Sequence, residues 1–194
     1  MTSLDDQERA PVTNDIAALV EQIRQSPSRC GNVTLVTIDG PAGSGKTTLA
    51  HELAGRIAGS QVIAMDGLYN GWLDALKPEL WERIDELILQ PLTQGQVAKY
   101  DAFNWNKLAF DTPVKVAPTE IIILEGVGSS HPRIAKSSSL NVWISAPEDL
   151  LLERVLNRDG AHIRQEMLDW QLAERAYFAE FDIENSADIH FIGE

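Results

Sequence analysis

The chain has 194 residues, 44% of them hydrophobic and 23% charged, and its 16 basic against 29 acidic side chains leave a net charge of −13. Size and apolar fraction suit one compact domain and exclude wholesale disorder, collagen-like and low-complexity architectures. So acidic a surface repels a phosphate backbone and argues against a nucleic-acid partner. Cys30 is the only cysteine, which excludes an intrachain disulfide and a cysteine zinc cluster and leaves either a small buried apolar side chain, the favoured reading, or a stray thiol. The first fifteen residues are polar and acidic, without the basic start and apolar stretch of a signal peptide, and no apolar run approaches the roughly 20 residues of a membrane helix. The expectation is a cytoplasmic protein without a membrane partner.

Residues 1–11 read as a tail ahead of a single domain over 12–194. Thr13 or Asn14 is placed to cap a helix whose apolar positions Ile16, Leu19, Val20 and Ile23 follow helical spacing. A β-branched run, Val33 to Asp39, reads as a buried parallel strand. A helix from Lys46 to Ala58, a strand from Gln61 to Asp66, a helix from Pro78 to Leu89 stopped by Pro91, and strands Glu120–Glu125 and Leu140–Ser145 follow. Then come a helix through Arg158, another from Ile163 to Phe181, and a fifth strand, Asp188–Ile192. Strands alternating with helices predict a five-stranded parallel α/β sheet flanked by helices. The aromatic, Asn/Asp-rich stretch 97–116 breaks this rhythm and reads as an inserted hairpin or flap.

The stretch Gly40, Pro41, Ala42, Gly43, Ser44, Gly45, Lys46, Thr47 matches the phosphate-loop pattern G-x-x-x-x-G-K-[ST] between a strand and a helix. In such a loop glycines let backbone N–H groups wrap a polyphosphate, and the helix dipole, beginning here with Lys46, Thr47 and Thr48, faces it. Lys46 neutralises the outer phosphates, and the Thr47 hydroxyl holds Mg²⁺. The class is therefore a P-loop NTPase, with ATP and Mg²⁺ as the implied cofactors. Guanine-specificity, transporter-ATPase and ring-ATPase signatures are missing from the sequence. Ligands of doubly wound sheets bind beyond the carboxyl ends of the strands, where Asp66 and Glu125 fall. Asp66 is a candidate base, and Glu125, with Asp66 and Thr47, a candidate metal partner. The plainer reading of both carboxylates is a turn or cap before a glycine. Arg154, Arg158 and Arg164 span a region, 154–164, where a mobile lid could bring guanidinium groups onto transferring phosphates. Arg154 reads better as a solvated helix charge, whereas Arg158 and Arg164 are the lid candidates.

With these residues in order, the chain resembles the uridine kinase family and its phosphoribulokinase-like relatives, from about Val33 to Ile192. The family's Asp-x-x-Tyr after the second strand is similar to Asp66-Gly-Leu-Tyr69, its hairpin Tyr-Asp to Tyr100-Asp101, and its Glu-Gly to Glu125-Gly126. The resemblance implies a nucleoside/nucleotide kinase-like fold with an arginine lid, ATP as donor, and Asp66 as the base that takes a proton from an acceptor hydroxyl. Lys46, Arg158 and Arg164 would be its partners in catalysis, and Tyr69 and Tyr100 would bind the acceptor; Trp105 is an acceptor-binding candidate from its aromatic ring and not from the resemblance.

Departures cluster on the acceptor side. The family's Phe-Asp-x-Pro stretch is missing where this chain reads Lys77 to Asp85, and the histidine after its Tyr-Asp pair is replaced by Asn104-Trp105-Asn106. Tyr100, Phe103 and Trp105 either stack an aromatic acceptor or cover the core, and Trp170, Glu174 and Tyr177, on one helix face, read as packing residues. The functional expectation is transfer of the γ-phosphoryl group of ATP to a hydroxyl of a small acceptor, such as a nucleoside, by a protein that could be a homo-oligomer. Two alternatives stand beside it: a nucleoside monophosphate kinase, with Arg83 or Arg133 clamping the acceptor phosphate, and an ATP-binding regulatory protein.

Overall fold

The computed structural model describes residues 10–72 and 75–193; all but the end of the expected tail lies outside them. A parallel sheet is built from β1 (Val12–Thr13), β2 (Thr34–Asp39), β3 (Gln61–Ala64), β6 (Ile121–Glu125), β7 (Leu140–Ser145) and β8 (Ile189–Ile192) in the order β1-β8-β7-β2-β6-β3. A separate antiparallel hairpin pairs β4 (Ala98–Asn104) with β5 (Ala109–Val116), with a register shift between Ala102 and Phe103. The fold is the expected α/β P-loop architecture, with the expected hairpin inserted before β6. The sheet has six strands and not five, because Val12 and Thr13 pair with His190 and Phe191.

That extra pairing corrects the start of α1 (Ile16–Gln25): the N-cap is Asp15, whose carboxylate accepts from the amides of Ala17 and Ala18. Thr13 is held in the edge strand, and its hydroxyl accepts from the Asp15 amide.

β2 and β6 are buried along their whole length. Alternation of side chains sends Leu35, Ile122 and Leu124 to one face of the sheet, and Val36, Ile38, Ile121 and Ile123 to the other. The second face is covered by α1 and by α2 (Lys46–Arg56) through Leu19, Ile23, Leu49 and Leu53. The first is covered by α3 (Pro78–Ile84) and α7 (Arg164–Phe181) through Leu80, Trp81, Ile84, Met167, Trp170 and Tyr177.

Pro91 does not stop the helix that begins at Pro78. A wide π turn over Asp85–Leu89 intervenes, in which the Gln90 amide reaches back to Asp85, and helix resumes over Gln90–Thr93, which we number α4. The wider turn relieves the clash between a proline ring and the carbonyl of the preceding turn. Cys30 is fully buried beside Thr93, as its reading as a small core side chain requires. α5 (Pro132–Ala135) and α6 (Glu148–Asp159) complete the helices, and among the described residues no helix is long and apolar enough to cross a membrane.

Candidate active site

β2, β3 and β6 end side by side, so the residues that follow them converge. A cleft of about 1210 Å³ opens there, lined by Gly43 to Thr48 from the loop after β2, Asp66 and Tyr69 from beyond β3, and Glu125 from the end of β6. The loop is shaped by close backbone packing. Gly43 has φ +86, and a Cβ there would sit 2.3 Å from the carbonyl oxygen of Leu151. The Glu-Gly pair has a similar cause: Gly126 has φ +131, and a Cβ would sit 2.5 Å from the Cβ of Met65, next to Asp66. The glycine therefore lets the ends of β3 and β6 close on each other.

Lys46 is buried, and its ammonium donates to the carbonyls of Gly40 at 2.7 Å and Pro41 at 2.8 Å. Burial pulls this ammonium below the ordinary lysine range, and the carboxylates of Glu174, Asp39, Glu125 and Asp66 pull it back up. The Thr47 hydroxyl donates to Glu125 Oε1 at 3.0 Å. Burial raises the Glu125 carboxyl, with Lys46 opposing and Asp66 reinforcing the rise. Asp66 is exposed within the cleft, yet crowding by surrounding protein raises its carboxyl while Lys46 and Arg158 lower it. Lys46, Thr47, Asp66 and Glu125 thus act on one another electrostatically at one spot.

The nine loop residues do not share one role. The Gly40 amide donates to Asp39 Oδ1, Pro41 has no amide hydrogen, and the Ala42 amide donates to Glu174 Oε2. The first three residues thus anchor the loop and Lys46. The first intrahelical bond of α2 runs from the Leu49 amide to Gly45, so the amides of Lys46, Thr47 and Thr48 are those a helix N-terminus presents to an anion.

Asp39 carries no assigned role in the sequence reading, yet it is fully buried at the centre of the site's frame. It accepts from the amides of Gly40, Gly128 and Ser130 and from the Tyr177 hydroxyl, fastening the loop after β6 to the loop after β2. Burial raises its carboxyl to about 6, against the opposing pull of those amides and Lys46. The available signal was a carboxylate ending an otherwise uncharged, β-branched strand.

Across the cleft from the loop, Trp105 is part of the lining and its indole N–H donates to the Asp66 carbonyl at 2.9 Å, docking the hairpin onto the segment that carries Asp66. Tyr69 is buried and lines the cleft, and its hydroxyl donates to the Val127 carbonyl. Trp72 and Trp170 complete an aromatic wall: Trp72 lies 5.2 Å from Trp105 and 5.9 Å from Trp170, which lies 5.2 Å from Tyr69. Tyr100 is packed against the core, outside the cleft lining, because alternation along β4 turns it inward.

The arginines also separate. Arg158 lines the cleft and pairs with its neighbour Asp159 at 2.8 and 2.7 Å. Arg154, read as a solvated charge, instead lines the cleft and donates to the Gly43 carbonyl at 3.4 Å. Arg164, the first residue of α7, is exposed and outside the lining. Arg83 donates to the Leu68 carbonyl and lies over the Phe110 ring, and Arg133 faces Glu82 and Asp85.

No family model matches the chain. Uridine kinases from Ureaplasma parvum serovar 3 are 28% identical to it over 142 residues, covering 64% of this chain and 68% of theirs. One from Borrelia duttonii is 28% identical over 141 residues, covering 66% and 68%. Among solved structures, a possible uridine kinase from Bacillus stearothermophilus superposes with TM-score 0.68 at 18% identity, over 91% of this chain and 96% of that one. A candidate fructose transport system kinase from Silicibacter sp. TM1040 gives 0.59 at 22% identity, over 91% and 98%. The fold is that of the P-loop kinases. In sequence the chain is similar to the uridine kinases.

Proposed function

We propose that the protein is an ATP-dependent phosphotransferase that moves the γ-phosphoryl group of ATP to a hydroxyl of a small acceptor bound against the aromatic wall. The observation that carries this reading is the Thr47–Glu125 hydrogen bond at the mouth of the phosphate loop, with Lys46 and Asp66 acting on the same carboxylate. The relatives named uridine kinase and the P-loop kinase fold support it.

The donor set at this spot is a hydroxyl and two carboxylates, the hard oxygen ligands that suit Mg²⁺. Thr47, Glu125 and Asp66 would hold the ion, which supplies neutralisation of charge on the phosphate oxygens. Loop amides and Lys46 bind the donor, and Arg158 and Arg154 face the charge that spreads over the transferring group. Asp66 accepts the proton of the acceptor hydroxyl, for which its exposure to the cleft and raised carboxyl are suited.

The acceptor side favours a ring-bearing acceptor without a phosphate. Trp72, Trp105, Trp170 and Tyr69 form the wall, and the two arginines that a monophosphate acceptor would call on, Arg83 and Arg133, are engaged elsewhere. A nucleoside fits this description and agrees with the names of the relatives, although the family's Phe-Asp-x-Pro stretch and the histidine after its Tyr-Asp pair are replaced here. The test is an ATP-consumption assay with Mg²⁺ against nucleosides, nucleoside monophosphates, pantothenate and small sugars. A phosphorylated product with a ring-bearing alcohol supports the reading. Preference for monophosphates would replace it with the monophosphate kinase, and tight ATP binding without product from any acceptor would favour the regulatory protein.

A further inference from the structure

Glu174 enters the site from α7, a helix that carries no phosphate-loop residue. It is 2% exposed, and one oxygen, Oε2, accepts from the Ala42 amide at 3.0 Å and from the Trp170 indole N–H at 2.9 Å. Ala42 belongs to the phosphate loop; Trp170 belongs to the aromatic wall, against Tyr69 and Trp72. A leucine would fill this place between helix and sheet without the cost of burying a carboxylate, but it could hold neither N–H. Lys46, itself bound to the loop carbonyls, supplies the opposite charge nearby, while Asp39 adds one of the same sign.

We infer that Glu174 is a positioning residue that couples the two halves of the cleft, fixing the first turn of the phosphate loop to the indole that backs the acceptor wall. A change at the wall reaches the donor loop through one shared oxygen atom. The inference rests on the donor reading of the cleft given above, and goes beyond it by assigning a residue that touches neither substrate.

Calorimetric titration of Mg·ATP into the full chain tests it without an acceptor, using wild type, Glu174→Leu, Glu174→Gln, Trp170→Phe and the double variant Glu174→Leu/Trp170→Phe. The leucine variant leaves the Ala42 N–H without its partner, and binding is expected to weaken about tenfold. Glutamine keeps an oxygen able to accept both bonds, and should bind within about threefold of wild type. Trp170→Phe removes the N–H together with the five-membered ring but keeps an aromatic face; it is expected to weaken Mg·ATP binding a few-fold, and the double variant to bind no worse than Glu174→Leu alone.

Thermal melts of the same proteins separate positioning from folding: the titrations are run well below every melting midpoint, where Glu174→Leu is folded and is still expected to lose affinity, and a loss that disappears there would overturn the coupling. Unchanged Mg·ATP affinity in Glu174→Leu, or losses that multiply in the double variant, would overturn the coupling while leaving the donor reading intact. Wild-type protein that fails to bind Mg·ATP would remove the donor reading, and the coupling with it.

Discussion

The two halves of the cleft are built by different means. The half proposed to bind the donor is mostly backbone: a glycine-shaped loop, first-turn amides of α2, and Lys46 held on two carbonyls. The half proposed to bind the acceptor is mostly side chains, four aromatic rings drawn from the segment after β3, the hairpin and α7. A backbone site binds what all nucleoside triphosphates share, whereas a side-chain wall can change its ligand one residue at a time. This division predicts that chemistry and donor binding fail at a few residues, while acceptor preference shifts by smaller steps.

The largest expected effect is at the junction of the halves. Asp66→Asn should weaken Mg·ATP binding by no more than about tenfold, as one of three ion-holding groups, while lowering transfer by about 10²–10⁴-fold, the range for losing a general base. Steady-state kinetics beside calorimetry checks this, and an unchanged turnover would remove Asp66 from the chemistry. Lys46→Ala should weaken Mg·ATP binding and lower kcat together, by about 10²–10³-fold in kcat/KM. An effect confined to the acceptor's KM would break the assignment of Lys46 to the donor half.

A third prediction concerns the coupling carboxylate and has a definite sign. Burial raises Glu174 from an ordinary value near 4.5 to about 7, with the Ala42 amide and Lys46 opposing. A carboxyl that holds its proton more tightly in the fold than in the unfolded chain makes the fold lose stability as pH rises through that interval, and the loss is complete above it. Glutamine has no proton to lose. The unfolding free energy of Glu174→Gln relative to wild type should therefore move in the variant's favour between about pH 5 and about pH 8, by up to roughly 2 kcal/mol, with the melting midpoint rising accordingly. Differential scanning calorimetry reads this directly, and a difference that stays flat with pH would show that Glu174 is ionised throughout.

The donor half was legible in the sequence because its geometry is local. A loop whose glycines, lysine and threonine must follow one another within eight positions leaves a pattern that one strand and one helix complete. Asp66 and Glu125 were legible for a related reason, since each directly follows or ends an apolar strand. What stayed hidden depends on contacts between distant segments. The partners of Asp39 lie on the loop after β6 and on α7. Glu174 looked like one polar position on a packing face until the fold set it against Ala42. Tyr100 and Trp105 sit five residues apart on one hairpin, but the register shift between Ala102 and Phe103 and the turn beyond it give them different surroundings. The sixth strand was invisible because two residues carry no periodicity.

The smallest effect sharpens the comparison most. Trp72 is 37% exposed at the rim of the wall and touches the Trp105 and Trp170 rings. It was not singled out in the sequence, although it stands three residues beyond Tyr69. An aromatic face of this kind contributes about 0.5–1.5 kcal/mol of ring contact beyond its buried area. Trp72→Ala should accordingly raise the KM of a ring-bearing acceptor by up to about tenfold. The same variant should leave Mg·ATP affinity within about twofold, since the indole N–H that reaches Glu174 belongs to Trp170 and stays in place. Equal losses for donor and acceptor would mean that the wall and the loop respond as one body, and that the division between a backbone half and a side-chain half describes their construction but not their energetics.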